Sequence, residues 1–211
     1  MSIVPRLAAS MERRDEAPNI ELAKELAQSG NITDIGELAE LAISAEKPIR
    51  YNAIKTLYEI GELAPKLISP HAQIFIELLG DKNNRILWGS IQILDTLTDI
   101  NPEFIATNLD IILDAADRSS VIARDRAMSI LSKLNAHPRF APIISPVILA
   151  RLPHCAPNQF PMYAELAGAT MPRIHRAGLI EIIEEAQKSI ASPAKQKRLN
   201  KVLVSLRKPT G

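Results

Sequence analysis

The adjacent pair His154-Cys155 is where metal or thiol chemistry would first be sought in this chain. A structural or catalytic metal needs two more ligands at short, regular spacing. The other histidines, His71, His137 and His175, stand far apart, and Cys155 is the one cysteine. No metal and no cofactor is therefore expected, and a single thiol gives no internal disulfide. The chain also lacks the glycine-rich nucleotide and phosphate loops, His-Glu-x-x-His and the Gly-x-Ser-x-Gly turn. The expectation is a protein that binds rather than catalyses.

Two other sets of residues have the chemistry of recognition. Tyr51 and Trp88 lie 37 positions apart with polar neighbours at helical spacing: Lys55, Tyr58, Gln92 and Asp95, and then Asp125 and Ser129. Exposed aromatic rings among polar groups are common anchors of protein interfaces. The alternative is that both rings pack between structural units and cover the edge of the core. The second set is Lys195, Lys197, Arg198 and Lys201, followed by Arg207 and Lys208, with no acidic residue after Glu185. Such a run can meet phosphates in a salt-dependent way, or it can be the solvated face of a terminal helix whose cations suit the helix C-terminus.

The elements that must position these residues repeat. Ile49-Arg50-Tyr51-Asn52-Ala53-Ile54-Lys55-Thr56-Leu57 overlays the segment starting at Ile86, and a third copy supplies Ala123, Ala127, Met128, Ile130, Leu131 and Leu134. The shared slots form one apolar stripe of a helix. Upstream, Ile74, Ile76 and Leu79 match Ile111, Leu113 and Ala116, while Pro65 matches Pro102. A proline just inside a helix costs little, so these prolines mark helix starts. Each 37-residue unit reads as two helices of about three to four turns. Stacked units share one core, because no single unit can bury its stripe alone.

The turn Leu79-Gly80-Asp81-Lys82-Asn83 and the helix openings Ile49-Arg50-x-x-Ala53 and Ala123-Arg124-x-x-Ala127 resemble the HEAT and armadillo class of helical repeats. The middle copy departs, with Leu87 in the arginine slot. The resemblance implies an all-α fold, a right-handed α-α superhelix (solenoid) of HEAT-like two-helix repeats. It also implies binding through the concave face lined by the second helix of each repeat. One domain is expected over 1–211: an N-terminal cap and first repeat at 1–46, regular repeats at 47–152, and a degenerate repeat with a basic cap at 153–211. Within the last, the prolines from Pro153 to Pro161 suggest a long turn. Helices follow near Arg176–Ile190 and Pro193–Leu206, then a frayed tail from Arg207 to Gly211.

Charge is uneven. Residues 1–118 carry 11 Lys/Arg against 19 Asp/Glu, and residues 119–211 carry 14 against 5. The distribution bears on association rather than fold. It admits another protein as partner, nucleic acid through the basic half, and head-to-tail self-association, a heterologous contact that gives rings or filaments. HEAT-like DNA glycosylases use aromatics and an acid on a basic face, but Tyr51 and Trp88 fall in the acidic half. No run approaches the roughly 18 apolar residues of a membrane helix; the nearest, Ile143 to Leu152, contains Pro146. No membrane contact and a cytoplasmic location are expected.

Overall fold

A computed structural model describes residues 2–208; the chain ends at 209–211 and Met1 lie outside the described residues, as does most of the expected frayed tail. Helices α1 (Ala17–Ser29), α2 (Ile32–Ser44), α3 (Lys47–Leu63), α4 (Pro65–Ile68), α5 (Ala72–Glu77), α6 (Asn84–Leu97), α7 (Pro102–Thr107), α8 (Leu109–Asp117) and α9 (Val121–Asn135) run in chain order. They are followed by α10 (Ala141–Arg151), α11 (Phe160–Thr170), α12 (Arg176–Gln187) and α13 (Pro193–Arg207), with no strand among the described residues. The described residues divide into two compact units, with the division between Ala127 and Met128.

In the first unit the stripe seen in the sequence is the core. Ala53, Ile54 and Leu57 of α3, and Ile86, Ile91, Leu94 and Leu97 of α6, are at most 1% exposed. Prolines open helices as expected: Pro48, Pro65 and Pro102 sit in the first turn of α3, α4 and α7. Asn31 and Asn83 cap α2 and α6 by accepting backbone N–H groups. Gly30 ends α1 in the left-handed conformation at φ +67°, which a side chain would strain.

The repeat differs from the expected helix pair. Its first half is broken into short pieces, α4 and α5 in one copy and α7 and α8 in the next, before a long third helix. Pro70 contributes no N–H at one break. At the other, Asn108 leaves helical geometry (φ −102°, ψ 10°) and its side-chain amide donates to the Phe104 carbonyl at 2.8 Å. A three-helix unit is the result. Hydrophobic spacing alone does not reveal the break, because the apolar stripe runs through it.

The Arg/Asp motif acts across repeats. Arg50 donates to the Ala42 carbonyl at 2.9 Å and pairs with Asp81, tying α2, α3 and the turn before α6. In the next copy Leu87 replaces the arginine and the slot of Asp81 is Arg118, so both members of the pair are absent together. Leu87 is buried instead.

Residues before α1 also pack. Ile3 and Leu7 are at most 1% exposed, and the backbone N–H groups of Ile3, Ala8 and Ala9 donate to Glu37, Asn19 and Asn52. The sequence shows no periodicity there, although the segment falls within the expected N-terminal cap and first repeat at 1–46.

In the second unit, Leu179 and Ile183 of α12 and Leu199, Val202, Leu203 and Leu206 of α13 face the core. Both helices fall close to where they were expected. The proline-rich stretch does not remain a turn throughout: α11 begins at Phe160, with Pro161 in its first turn. Pro161 opens this helix rather than preventing it, since its missing N–H costs nothing in the first turn. Pro146 lies in the middle of α10, on an exposed position. A network of buried polar groups supplements the core. Ser145 donates to Asn135 at 2.7 Å, Asn135 donates to the Thr170 carbonyl at 3.1 Å, and Ser132 donates to the Leu166 carbonyl at 2.9 Å. These bonds satisfy the end of α11 where its own helix ladder stops.

Candidate recognition face of the first unit

The long helices α3 and α6 pack side by side because small residues meet large ones between them. A Cβ on Gly89 would lie 2.8 Å from Ile54, and one on Gly61 would lie 2.8 Å from Thr96. This close approach sets the lateral spacing of the side chains carried on the two helices.

Trp88 stacks in tilted geometry on Tyr58, with ring centroids 5.6 Å apart and planes at 44°. Tyr58 is 8% exposed, whereas Trp88 is half-buried and still reaches the surface. Tyr51, also half-buried, accepts a hydrogen bond from the Asn83 side chain through its hydroxyl. The Arg85 guanidinium stands 5.2 Å from its ring centre and the Lys47 ammonium 5.8 Å.

The charged residues balance one another. Lys55 is buried at 7% exposed and reaches Glu59 at 2.6 Å and Glu16 at 3.3 Å. Burial alone would favour its neutral form, but the Glu59 carboxylate and the Tyr58 hydroxyl outweigh this and hold its pKa above the usual lysine value. Burial pushes the Tyr58 phenol upward, against the pull of Lys55. Glu16 also meets Arg85, so one carboxylate from the start of α1 bridges α3 and α6. Further along, Arg126 of α9 lies 3.2 Å from Asp95 and 3.7 Å from Glu62, and Gln92 donates to Glu62 at 3.4 Å.

Of the residues singled out by sequence, Tyr51, Trp88, Gln92, Asp125 and Ser129 are half-buried. Lys55, Tyr58 and Asp95 are buried, which corrects their expected outward position. Their physical role is internal: Tyr58 supports Trp88, Lys55 neutralises two glutamates, and Asp95, 2% exposed, holds Arg126. The sequence reading missed Glu16, Glu59, Glu62, Arg85 and Arg126. The spacing of Lys55 and Glu59 (i, i+4) could have revealed one of these pairs. Glu16 carries no such signal, since its partners are 39 and 69 positions away.

The basic residues of α13 are partly occupied. Arg198 makes a two-point contact with Glu165 at 2.6–2.7 Å, Arg207 pairs with Glu184, and Lys195 donates to Asn158 at 2.6 Å. Lys197 and Lys201 remain exposed, one turn apart. His154 is exposed and Cys155 half-buried; among the described residues no group of three His, Cys, Asp or Glu side chains is placed to hold a metal ion. Among the same residues no helix is long and apolar enough to cross a membrane.

No family model and no curated protein matches the chain. Solved structures do. A designed armadillo repeat protein, YIII(Dq.V1)4CPAF in complex with peptide (KR)4, superposes with a TM-score of 0.70 at 14% identity, covering 98% of this chain and 100% of that one. Computationally designed armadillo repeat proteins for modular peptide recognition give a TM-score of 0.66 at 14% identity over 90% of this chain and 92% of theirs. A further designed armadillo repeat protein, YIII(Dq)4CqI, gives 0.64 at 15% identity over 97% and 100%. The chain therefore has the all-α helical-repeat fold of the HEAT and armadillo kind. The broken first half of each repeat, seen in α4–α5 and α7–α8, is the local feature that distinguishes it from a plain helix pair.

Proposed function

We propose that the protein is a non-catalytic scaffold that binds a segment of another protein along the third helices of its first unit. Tyr51 and Trp88 are the aromatic contacts, with Gln92 and Asp125 as polar ones. Tyr58 supports Trp88 from beneath, while Lys55 and Asp95 fix the charged groups Glu16, Glu59 and Arg126 nearby. The observation that carries this reading is the row formed by α3 and α6: half-exposed rings on adjacent helices, Trp88 supported by the buried Tyr58 and Tyr51 by Asn83 and Arg85, with fixed charges beside them. Rigid aromatic side chains of this kind lose little entropy on binding. The fold adds support, since the neighbour solved with peptide (KR)4 shows that such a fold accommodates a peptide.

Trp88 is the only tryptophan in the chain, so its emission reports the site directly. Candidate partners captured by the protein, and peptides derived from them, are expected to shift or quench that emission saturably. Trp88→Ala is expected to abolish capture and leave helicity unchanged. Capture that survives Trp88→Ala in a folded protein refutes this placement of the site.

A further inference from the structure

A separate cavity of about 670 Å³ lies wholly within the second unit, between α12 with the residues just after it and the turn that precedes α11. Its size is that of a small-molecule site. Pro153, Pro157, Phe160, Ile182 and Ile190 give it apolar walls, and Cys155 contributes its thiol. Glu181 and Glu185, one turn apart on α12, and Lys188 just after it also line it and are exposed, so they stand at its mouth, where Lys188 offsets Glu185 and leaves the charge of Glu181.

The charge at that mouth is unusual for its surroundings. Residues 128–208 contain four carboxylates: Glu165, Glu181, Glu184 and Glu185. Glu165 is paired with Arg198, Glu184 with Arg207 and Glu185 with Lys188. Glu181 is the carboxylate of this group without an ion pair. In a unit rich in cations, the one unneutralised acid borders the apolar cavity. The Glu185–Lys188 pair is over 70% exposed on both sides, so water screens it and it is easily exchanged.

The geometry points to a binding site for a small organic cation with a flat or aliphatic apolar body. The body packs against Phe160, Ile182 and the prolines, and the cationic head meets Glu181 at the mouth. The aromatic ring of Phe160 and the prolines give shape, and the carboxylate gives the choice of charge.

Cys155 makes the test direct, because it is the only thiol and it lies in the wall. Burial pushes its pKa up to about 11, so alkylation is slow at neutral pH and is best followed near pH 8.5 with iodoacetamide, an uncharged reagent. Benzamidinium and benzamide serve as probes; they share shape and differ in charge. Benzamidinium is expected to slow alkylation saturably, at a concentration about five- to ten-fold lower than benzamide requires. Glu181→Gln should remove that difference while the rate without probe and the far-ultraviolet circular dichroism stay unchanged. Absence of protection by either probe overturns the site. Equal protection by both, or a benzamidinium preference that survives Glu181→Gln, overturns its selectivity for cations. Trp88 lies in the other unit, so failure here leaves the peptide reading untouched and the reverse holds as well.

Discussion

The two units build helical repeats by different means. The first relies on a regular 37-residue register: apolar stripes in equivalent slots, glycines where third helices touch, and ion pairs such as Arg50–Asp81 and Arg126–Asp95 between neighbouring elements. In the second the register is lost, and buried neutral hydrogen bonds through Asn135, Ser132 and Ser145 join the helices instead. Periodic sequence can be replaced by a few well-satisfied polar contacts, but such contacts are less forgiving. An apolar contact weakened by one atom loses a little, whereas a buried donor deprived of its acceptor loses its whole compensation for leaving water.

Asn135 should therefore show the largest effect of the polar positions. It is 2% exposed, accepts from Ser145 and donates to Thr170. Asn135→Ala leaves both partners unsatisfied and is expected to cost about 2–3 kcal/mol in denaturant unfolding, comparable to a core truncation such as Leu57→Ala. A loss below that of an ordinary surface change would show that the network is not what holds the second unit.

How well each unit was read from sequence follows the same division. The third helices of the first unit were legible because their stripes recur at fixed spacing, and so was their alternation with proline-opened segments. The break inside each first half was not, because Pro70 and Asn108 act on the backbone while the apolar pattern continues. In the second unit α12 and α13 were legible from their stripes, whereas α11 was hidden by Pro153, Pro157 and Pro161. The candidate site was legible in part. Tyr51 and Trp88 were found by their register, but the ring that meets Trp88 is Tyr58, seven residues further along α3, because helix packing brings that turn opposite α6. The partners of Glu16 were invisible, as a contact across 69 residues leaves no local pattern.

The glycines sharpen the comparison on a feature that both units share. A Cβ on Gly89 meets Ile54 at 2.8 Å, and one on Gly168 of α11 meets Val202 of α13 at 2.6 Å. Ile54 is 1% exposed and has no room to retreat, whereas Val202 is 8% exposed at the last helix of the chain. Alanine gains about 1 kcal/mol of helix propensity over glycine, and overpacking costs about 1–3 kcal/mol. Gly89→Ala should therefore destabilise by about 1–2 kcal/mol, and Gly168→Ala by less, as read in thermal unfolding. If Gly168→Ala is the more damaging, the second unit is packed as tightly as the regular repeats.

Acid titration gives the smallest effect and separates the units by burial of charge. Burial tends to raise the Asp81 carboxyl, yet the Arg50 guanidinium and the Asn83 backbone N–H override it and hold the pKa below the usual value. The Arg198 guanidinium does the same for Glu165 in the second unit. A carboxylate whose folded pKa is depressed adds stability above its unfolded pKa, about 4, and that stability is lost as pH falls through the folded value. Both pairs should thus weaken on acidification below about pH 4. The side chains of Arg50 and Asp81 are 21% and 18% exposed, those of Arg198 and Glu165 45% and 42%, so water and salt screen the second pair more. At neutral pH Asp81→Asn should cost about 1 kcal/mol and Glu165→Gln about half a kcal/mol or less. In 1 M salt the Glu165→Gln effect should vanish while part of the Asp81→Asn effect remains. Equal salt sensitivity in urea unfolding would show that the inter-repeat pair is no better shielded than a surface contact.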